Sequence, residues 1–287
     1  MGGLNHWTVA GWGQKVRQVP VVLNRGMLVI CTLILGASTA SMRGPVLEPG
    51  EQGRVVSVWD GDSLSLDSGL KVRLSGIYAP ALKQGRKTAL IDPMGAEAKA
   101  ALIALTREQD IRLYYGGEKR DRYDRALAHV FTLLPSGAPD LWVQEEMLLR
   151  GMARVYTWPD SYQDIARLYA AEQQARSAGR GLWNDVFYAI RSPDPNTLAQ
   201  DVDSVQIVEG VITSSAEIRG RIYLNFGADY KTDFTIAIAK KNRKRFKKAG
   251  LDPLTLTGAK VRVRGWIELM NGPMIWLDHP DRLEVLD

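Results

Sequence analysis

The turn Asp60-Gly61-Asp62 separates two short alternating runs, Arg54-Val-Val-Ser-Val-Trp59 before it and Ser63-Leu-Ser-Leu66 after it. Alternation with a period of two gives a strand one apolar and one polar face, and Asp-Gly between such runs favours a hairpin. A second turn at Ser68-Gly69 leads into Leu70–Ile77, so the stretch predicts a three-stranded meander. Ile111–Tyr115 and Ala126–Leu134 supply two further strands, which together suggest a small five-stranded barrel. Helical spacing interrupts the strands three times. Gly95–Glu108 carries Ala98, Ala101, Leu102 and Leu105 on one face; Leu141–Arg150 stops at Gly151; and Ser161–Ala178 starts on a capping-box-like Ser161/Asp164 pair and ends at Gly179.

Beyond this unit, Arg191–Asp203 with its Ser192-Pro193-Asp194-Pro195 start reads as a linker. Six alternating runs follow: Val205–Thr213, Arg221–Phe226, Asp233–Ala239, Lys260–Leu269, Met274–Leu277 and Leu283–Leu286. With one basic helical or loop segment between them, they predict a second small β-barrel of OB-like type. The sequence shows no tandem repeat of the first unit in the second. The fold class expected is mainly β with helices (α+β).

Upstream, Lys15, Arg17 and Arg25 precede the apolar run Met27–Gly36, and Ala37-Ser38-Thr39-Ala40 follows it. Basic residues, a short apolar core and small residues form the order of a secretory signal, with cleavage after Ala40. The run is shorter than the roughly 20 residues of a membrane span, and an uncleaved anchor is the alternative. Export to the periplasm or medium is the expectation. Cys31 is the sole cysteine, so a mature exported chain rests on its core without disulfides. With 287 residues, 45% of them hydrophobic, the chain is long enough for two such cores. The organisation implied is a leader at 1–40, a linker at 41–52, a first domain at 53–190, a second linker at 191–203 and a β domain at 204–287.

Several motifs fall in one order along the first domain: Asp60-Gly61-Asp62, Val72-Arg73-Leu74, Ile77 with Pro80, Gly95-Ala-Glu97-Ala98, and Asp121-Arg122-Tyr123-Asp124-Arg125. Together they resemble the staphylococcal (thermonuclease-like) nuclease family from about Gly53 to Asn184. The resemblance implies a five-stranded OB-type barrel with three helices and calcium-dependent phosphodiester hydrolysis. It places the first metal-binding aspartate at Asp62 and the two phosphate-gripping arginines at Arg73 and Arg125. Two positions depart from the pattern. The family's second metal-binding aspartate falls on Tyr78, and its general-base glutamate falls on Ala81.

Those departures remove chemistry that phosphodiester hydrolysis needs. A phenol with a pKa near 10 stays protonated at neutral pH and cannot replace a carboxylate on a hard cation. Loss of a general base alone costs about 10²–10⁴ in rate. A site reduced to Asp62, carbonyls and water implies calcium binding at about millimolar strength or weaker, so no cofactor is fixed by the sequence. Asp60 more naturally braces the turn, with direct ligation of a metal as the alternative. Asp92, Glu97, Asp121 and Asp124 are the acids that could serve a relocated metal site. Arginine's planar fork suits phosphate without any metal, and Tyr123, Tyr156 and Trp158 are the aromatics expected near a bound nucleotide.

The second domain carries the densest charge run, Lys240-Lys241-Asn242-Arg243-Lys244-Arg245-Phe246-Lys247-Lys248, in a chain of net charge +5. Lys240, Lys241, Arg243, Lys244, Arg245, Lys247 and Lys248 could clamp a phosphate backbone; the bland alternative is a solvated helix face. His6, His129 and His279 are scattered, which disfavours zinc, and neither a Walker-type phosphate loop nor a dinucleotide fingerprint occurs. Three functions stay open. One is a nucleic-acid-binding homologue with impaired or lost hydrolysis, another a working nuclease with a relocated metal or base. The third is an envelope scaffold that contacts protein or anionic polysaccharide.

Overall fold

Apolar alternation before Asp60 builds a longer strand than its visible core suggests. A computed structural model describes residues 47–82, 93–159 and 163–286. The leader read at 1–40, with its run Met27–Gly36, lies outside the described residues, as do Asp92 and Ser161. In chain order the first half forms β1 (Glu48–Asp60), β2 (Ser63–Leu66), β3 (Lys71–Leu74), β4 (Ile77–Tyr78), α1 (Gly95–Thr106), β5 (Asp110–Tyr115), β6 (Ala126–Leu133), β7 (Pro139–Trp142), α2 (Val143–Leu149), β8 (Arg154–Val155) and α3 (Ile165–Ser177). The sheet order β3-β2-β1-β5-β6 closes into a ring because β3 also pairs with β6, in parallel. This is the five-stranded barrel with three helices that the sequence implied. Its interior holds Leu64, Val72, Leu74, Ile111, Leu113 and Val130, none of them measurably exposed, and α1 adds Ala98 and Leu102. Each large side chain so buried contributes about 1.5–3 kcal/mol at most.

Some boundaries differ, each for a local reason. β1 reaches back to Glu48, through the Gly/Pro-rich segment read as linker, because Glu48 and Pro49 pair with Tyr115 and Tyr114 of β5. The Tyr115 hydroxyl also donates to Glu51 Oε2 at 2.6 Å. The strand expected over Leu70–Ile77 breaks at Gly76, whose φ of +81° turns the chain into β4. α2 starts at Val143 rather than Leu141 because Trp142 still pairs with Phe131 across the β6–β7 hairpin. α3 starts at Ile165, and Asp164 precedes it in left-handed geometry (φ 52°) with no side-chain cap.

The second half holds α4 (Pro195–Leu198), β9 (Val205–Val211), β10 (Ser214–Ile218), β11 (Arg221–Asn225), β12 (Thr235–Ile238), α5 (Arg243–Lys248), β13 (Lys260–Met270), β14 (Gly272–Leu277) and β15 (Leu283–Leu286). β10 is a strand that the sequence reading left out, between the runs ending at Thr213 and starting at Arg221. β9 pairs with β13 and β10 with β11, so the two are limbs of one bent segment. The ring then runs β11-β12-β14-β13, with β12 and β14 parallel. Both barrels thus close through a parallel pair between their third and fifth strands. Each also inserts a helix after its third strand, although no sequence repeat links them.

The segment between the barrels is packed. Asp194 caps α4 by accepting from Asn196 N and Thr197 N, and Leu198 is fully buried in the second core. Arg191 pairs with Asp201 at 2.7 Å and donates to the carbonyls of Val186, Phe187 and Ala189.

The barrels meet through buried polar contacts. Arg264 of β13, 1% exposed, donates to Glu172 of α3 at 2.9 Å, to Glu284 at 2.7 Å and to the Val155 carbonyl at 3.1 Å. Its guanidinium lies 4.5 Å from the Tyr169 ring centroid. Removing one partner of such a group leaves an uncompensated buried charge. Arg264→Met should therefore destabilise the chain by about 3–5 kcal/mol in urea unfolding, and adding Glu172→Leu should recover part of that loss.

Candidate nucleic-acid cleft

The β1–β2 turn is the first part of the site. Asp60 Oδ1 accepts from Asp62 N at 3.1 Å and from the Ser63 hydroxyl, so it braces the turn. Gly61 is required by close approach: a Cβ there would come within 2.6 Å of Ala79 Cβ and 2.7 Å of Ala98 Cβ. The turn is thereby pressed against α1 and the residues after β4, and Asp62 points inward.

Asp62 is 6% exposed. Its Oδ2 accepts from Ala79 N at 2.9 Å and faces Arg73 Nη1 at 2.8 Å. Arg73, at the end of β3, also donates to the carbonyls of Leu74 at 3.1 Å and Asp62 at 3.4 Å. Burial pushes the Asp62 carboxyl up to about 7, the Arg73 charge pulling the other way.

Calcium does not fit this donor set. Among the described residues the one inward carboxylate here, Asp62, is engaged by a guanidinium and an amide. Tyr78 is half-buried with its ring 6.0 Å from that of Tyr156, and Ala81 is exposed and carries only a methyl. Of the other acids weighed from the sequence, the described ones, Glu97, Asp121 and Asp124, do not gather here. Glu97 is exposed on the first turn of α1, Asp124 is an exposed turn residue with φ 59°, and Asp121 is committed to Arg125. Among the described residues no three His, Cys, Asp or Glu side chains form a metal-holding group.

What the geometry does assemble is cationic. A cleft of about 560 Å³ is lined by Arg73, Arg120, Arg122, Arg125, Tyr123 and Trp158, with Glu118 and Asp121 at its wall. Arg125 is oriented by Asp121, whose Oδ2 accepts from Arg125 Nε at 2.7 Å and whose Oδ1 accepts from Tyr123 N at 2.9 Å and Arg125 N at 3.0 Å. Burial alone would raise the Asp121 carboxyl, yet these bonds hold it below its usual value. Tyr123 is 63% exposed, with the Arg122 and Arg125 guanidinium groups 4.8 and 5.5 Å from its ring centroid. Trp158 lines the same cleft, its ring 5.6 Å from the Arg73 guanidinium.

Arg73, Arg125 and Tyr123 are thus brought together. Tyr156 does not line the cleft; its ring packs under Arg282 at 4.2 Å and edge-on to Trp158 at 5.2 Å. The second barrel holds this wall, since Arg282 Nε donates to the Thr157 carbonyl at 2.8 Å and His279 Nε2 bonds Thr157 Oγ1 at 2.7 Å. The basic run lies apart from the cleft lining, on α5 and the turn before it. There Lys240, Lys241, Lys244, Arg245, Lys247 and Lys248 are exposed, while Arg243 is half-buried and grips Glu217 through two bonds of 2.7 Å. Arg120 and Arg122 were missed as site residues. Their signal was the charge-dense stretch Glu118–Arg125 around Tyr123.

Comparison with known proteins agrees with this geometry. The family model described as "Staphylococcal nuclease homologue" matches residues 71–185. The chain is 25% identical over 179 residues to the thermonuclease of Staphylococcus hyicus, covering 57% of this chain and 98% of that protein. It is 34% identical over 145 residues to an uncharacterized endonuclease of Escherichia coli O157:H7, covering 49% of this chain and 82% of that one. Against the probable staphylococcal-like nuclease CAN1 of Oryza sativa subsp. japonica it is 34% identical over 113 residues, 39% of this chain but only 28% of the rice protein. The chain belongs to the staphylococcal nuclease family. The family match ends at residue 185, before the second barrel begins.

The Asp62 environment has a pH signature. Its folded pKa lies above the unfolded value, so the unfolded chain releases this proton first and Asp62 lowers stability as pH rises from about 4 to about 7. His129, fully buried and pushed down to about 4, has the opposite slope in the same window. The difference between the native chain and Asp62→Asn isolates the aspartate. That difference should grow in favour of the variant with rising pH, by up to about 1.4 kcal/mol per unit, in denaturant unfolding at fixed salt.

Proposed function

We propose that this protein is an exported, thermonuclease-like nucleic-acid-binding protein in which calcium-dependent phosphodiester hydrolysis is impaired or lost. The single observation that carries this reading is the pairing of Asp62 with Arg73 inside an arginine-lined cleft, with Tyr78 and Ala81 at the positions where the resemblance expects carboxylates. Hydrolysis needs a cation to polarise the phosphate and a base to deprotonate water, and these residues supply neither. Binding needs neither. Guanidinium groups bond phosphate oxygens directly, and an aromatic ring stacks a base for about 1–3 kcal/mol.

Digestion of single- and double-stranded DNA and RNA across a calcium titration tests the reading. Purified protein should show almost no calcium-stimulated cleavage. Tyr78→Asp combined with Ala81→Glu should raise it by an order of magnitude or more, given the roughly 10²–10⁴ carried by a general base. Strong calcium-stimulated cleavage that Asp62→Ala abolishes would instead support the working-nuclease reading. Mass spectrometry of envelope fractions tests export: a start near Ser41 is expected, and an intact Met1 embedded in membrane would favour the anchor.

We also propose that the α5 run supplements the cleft. Counterion release makes affinity fall steeply with salt, by a slope of about −0.7 per phosphate contacted on a single strand. Neutralising Lys244, Lys247 and Lys248 should flatten that slope in chelator, with the second barrel still folded because Phe246, not the lysines, faces its core.

A further inference from the structure

Arg125 borders two hollows at once. One is the arginine cleft. The other is a smaller cavity of about 190 Å³ edged by Trp59, Asp60, Ser63, Lys71 and Arg125. Trp59 closes β1 with 54% of its surface exposed, a large apolar area for a strand end. The ring is nevertheless fixed, because its Nε1–H donates to Ser65 Oγ at 2.8 Å. The Lys71 ammonium stands 5.8 Å from the ring centroid, and among the described residues no carboxylate pairs with it. The acid at the cavity edge, Asp60, is occupied by the Asp62 amide and the Ser63 hydroxyl.

An exposed indole held in one orientation, with the Lys71 ammonium over its ring and Arg125 edging the same hollow, fits a base with its flanking phosphates. We infer that the Trp59–Lys71 cavity is a second nucleotide subsite for single-stranded nucleic acid, joined to the arginine cleft through Arg125. A strand lies across Arg125 with one base near Tyr123 and Trp158 and another on Trp59. Stacking carries no hydrogen-bond readout, so the subsite adds affinity without sequence preference. This inference rests on the proposed nucleic-acid reading of the cleft.

Fluorescence anisotropy with labelled oligothymidylates of increasing length, on the full mature chain in chelator at low salt, tests it. Affinity should rise with length as the strand reaches the second hollow. Trp59→Ala should remove about tenfold from the affinity of the longer oligonucleotides and leave the dinucleotide unchanged, whereas Trp59→Phe should retain most of the gain. Lys71→Gln should lower the salt slope of the longer oligonucleotides by about 0.7, one phosphate contact. Because Trp59 and Lys71 are exposed, the variants are expected to fold, and circular dichroism checks this. A length dependence unchanged in Trp59→Ala, or equal losses for short and long oligonucleotides, would overturn the subsite alone. Absence of binding at every length by the native protein would overturn the nucleic-acid reading and the subsite with it.

Discussion

A buried aspartate faces a buried arginine at 2.8 Å, and this pair sets the character of the whole cleft. A carboxylate meant for a hard cation needs other oxygens around it and no competing positive charge. Asp62 has the reverse: a guanidinium on the same oxygen that accepts the Ala79 amide, and Tyr78 where the family resemblance expects a second carboxylate. Both partners are internal, and burial outweighs them in raising the carboxyl to about 7. Four arginines line the cleft against Glu118 and Asp121, which leaves the hollow suited to anions.

The second barrel bears on that cleft although the family match stops before it. Thr157 is held at its carbonyl by Arg282 and at its hydroxyl by His279, and Tyr156 is covered by Arg282. The next residue, Trp158, forms the cleft wall. Arg264 ties the same region to α3 through Glu172. Such contacts contribute little net energy when complete and cost several kcal/mol when broken, so they act by fixing geometry more than by adding stability. The aromatic wall of the cleft thereby depends on a domain that is distant in sequence.

Much of this was legible in the chain because several barrel strands alternate in sequence and the turns carry Asp-Gly or Gly. The DGD turn, Arg73 and Arg125 were placed by their match to the motifs of the resembled family. Less legible were features that depend on contacts across the fold. Glu48 and Pro49 look like linker residues until β5 lies beside them. The break at Gly76 hides in an apolar run, and β10 is polar because it is an exposed limb of a bent strand. Tyr156 and Trp158 sit two residues apart and face different partners, one under Arg282 and one toward Arg73. No local pattern separates those roles. Arg264 offers a similar lesson: it reads as one basic residue in an alternating strand, yet it is buried against the other barrel.

We propose that the Asp62–Arg73 site takes an anion in place of a cation. Nuclear magnetic resonance titration tests it most directly, following the Ala79 amide and the Arg73 and Arg125 Nε–H signals in one sample. The account predicts that a short oligonucleotide added in chelator moves both arginine signals along a saturable curve, and that millimolar calcium without oligonucleotide leaves the Ala79 amide in place. A saturable shift of Ala79 at micromolar calcium, with arginine signals that move only once calcium is present, would contradict it.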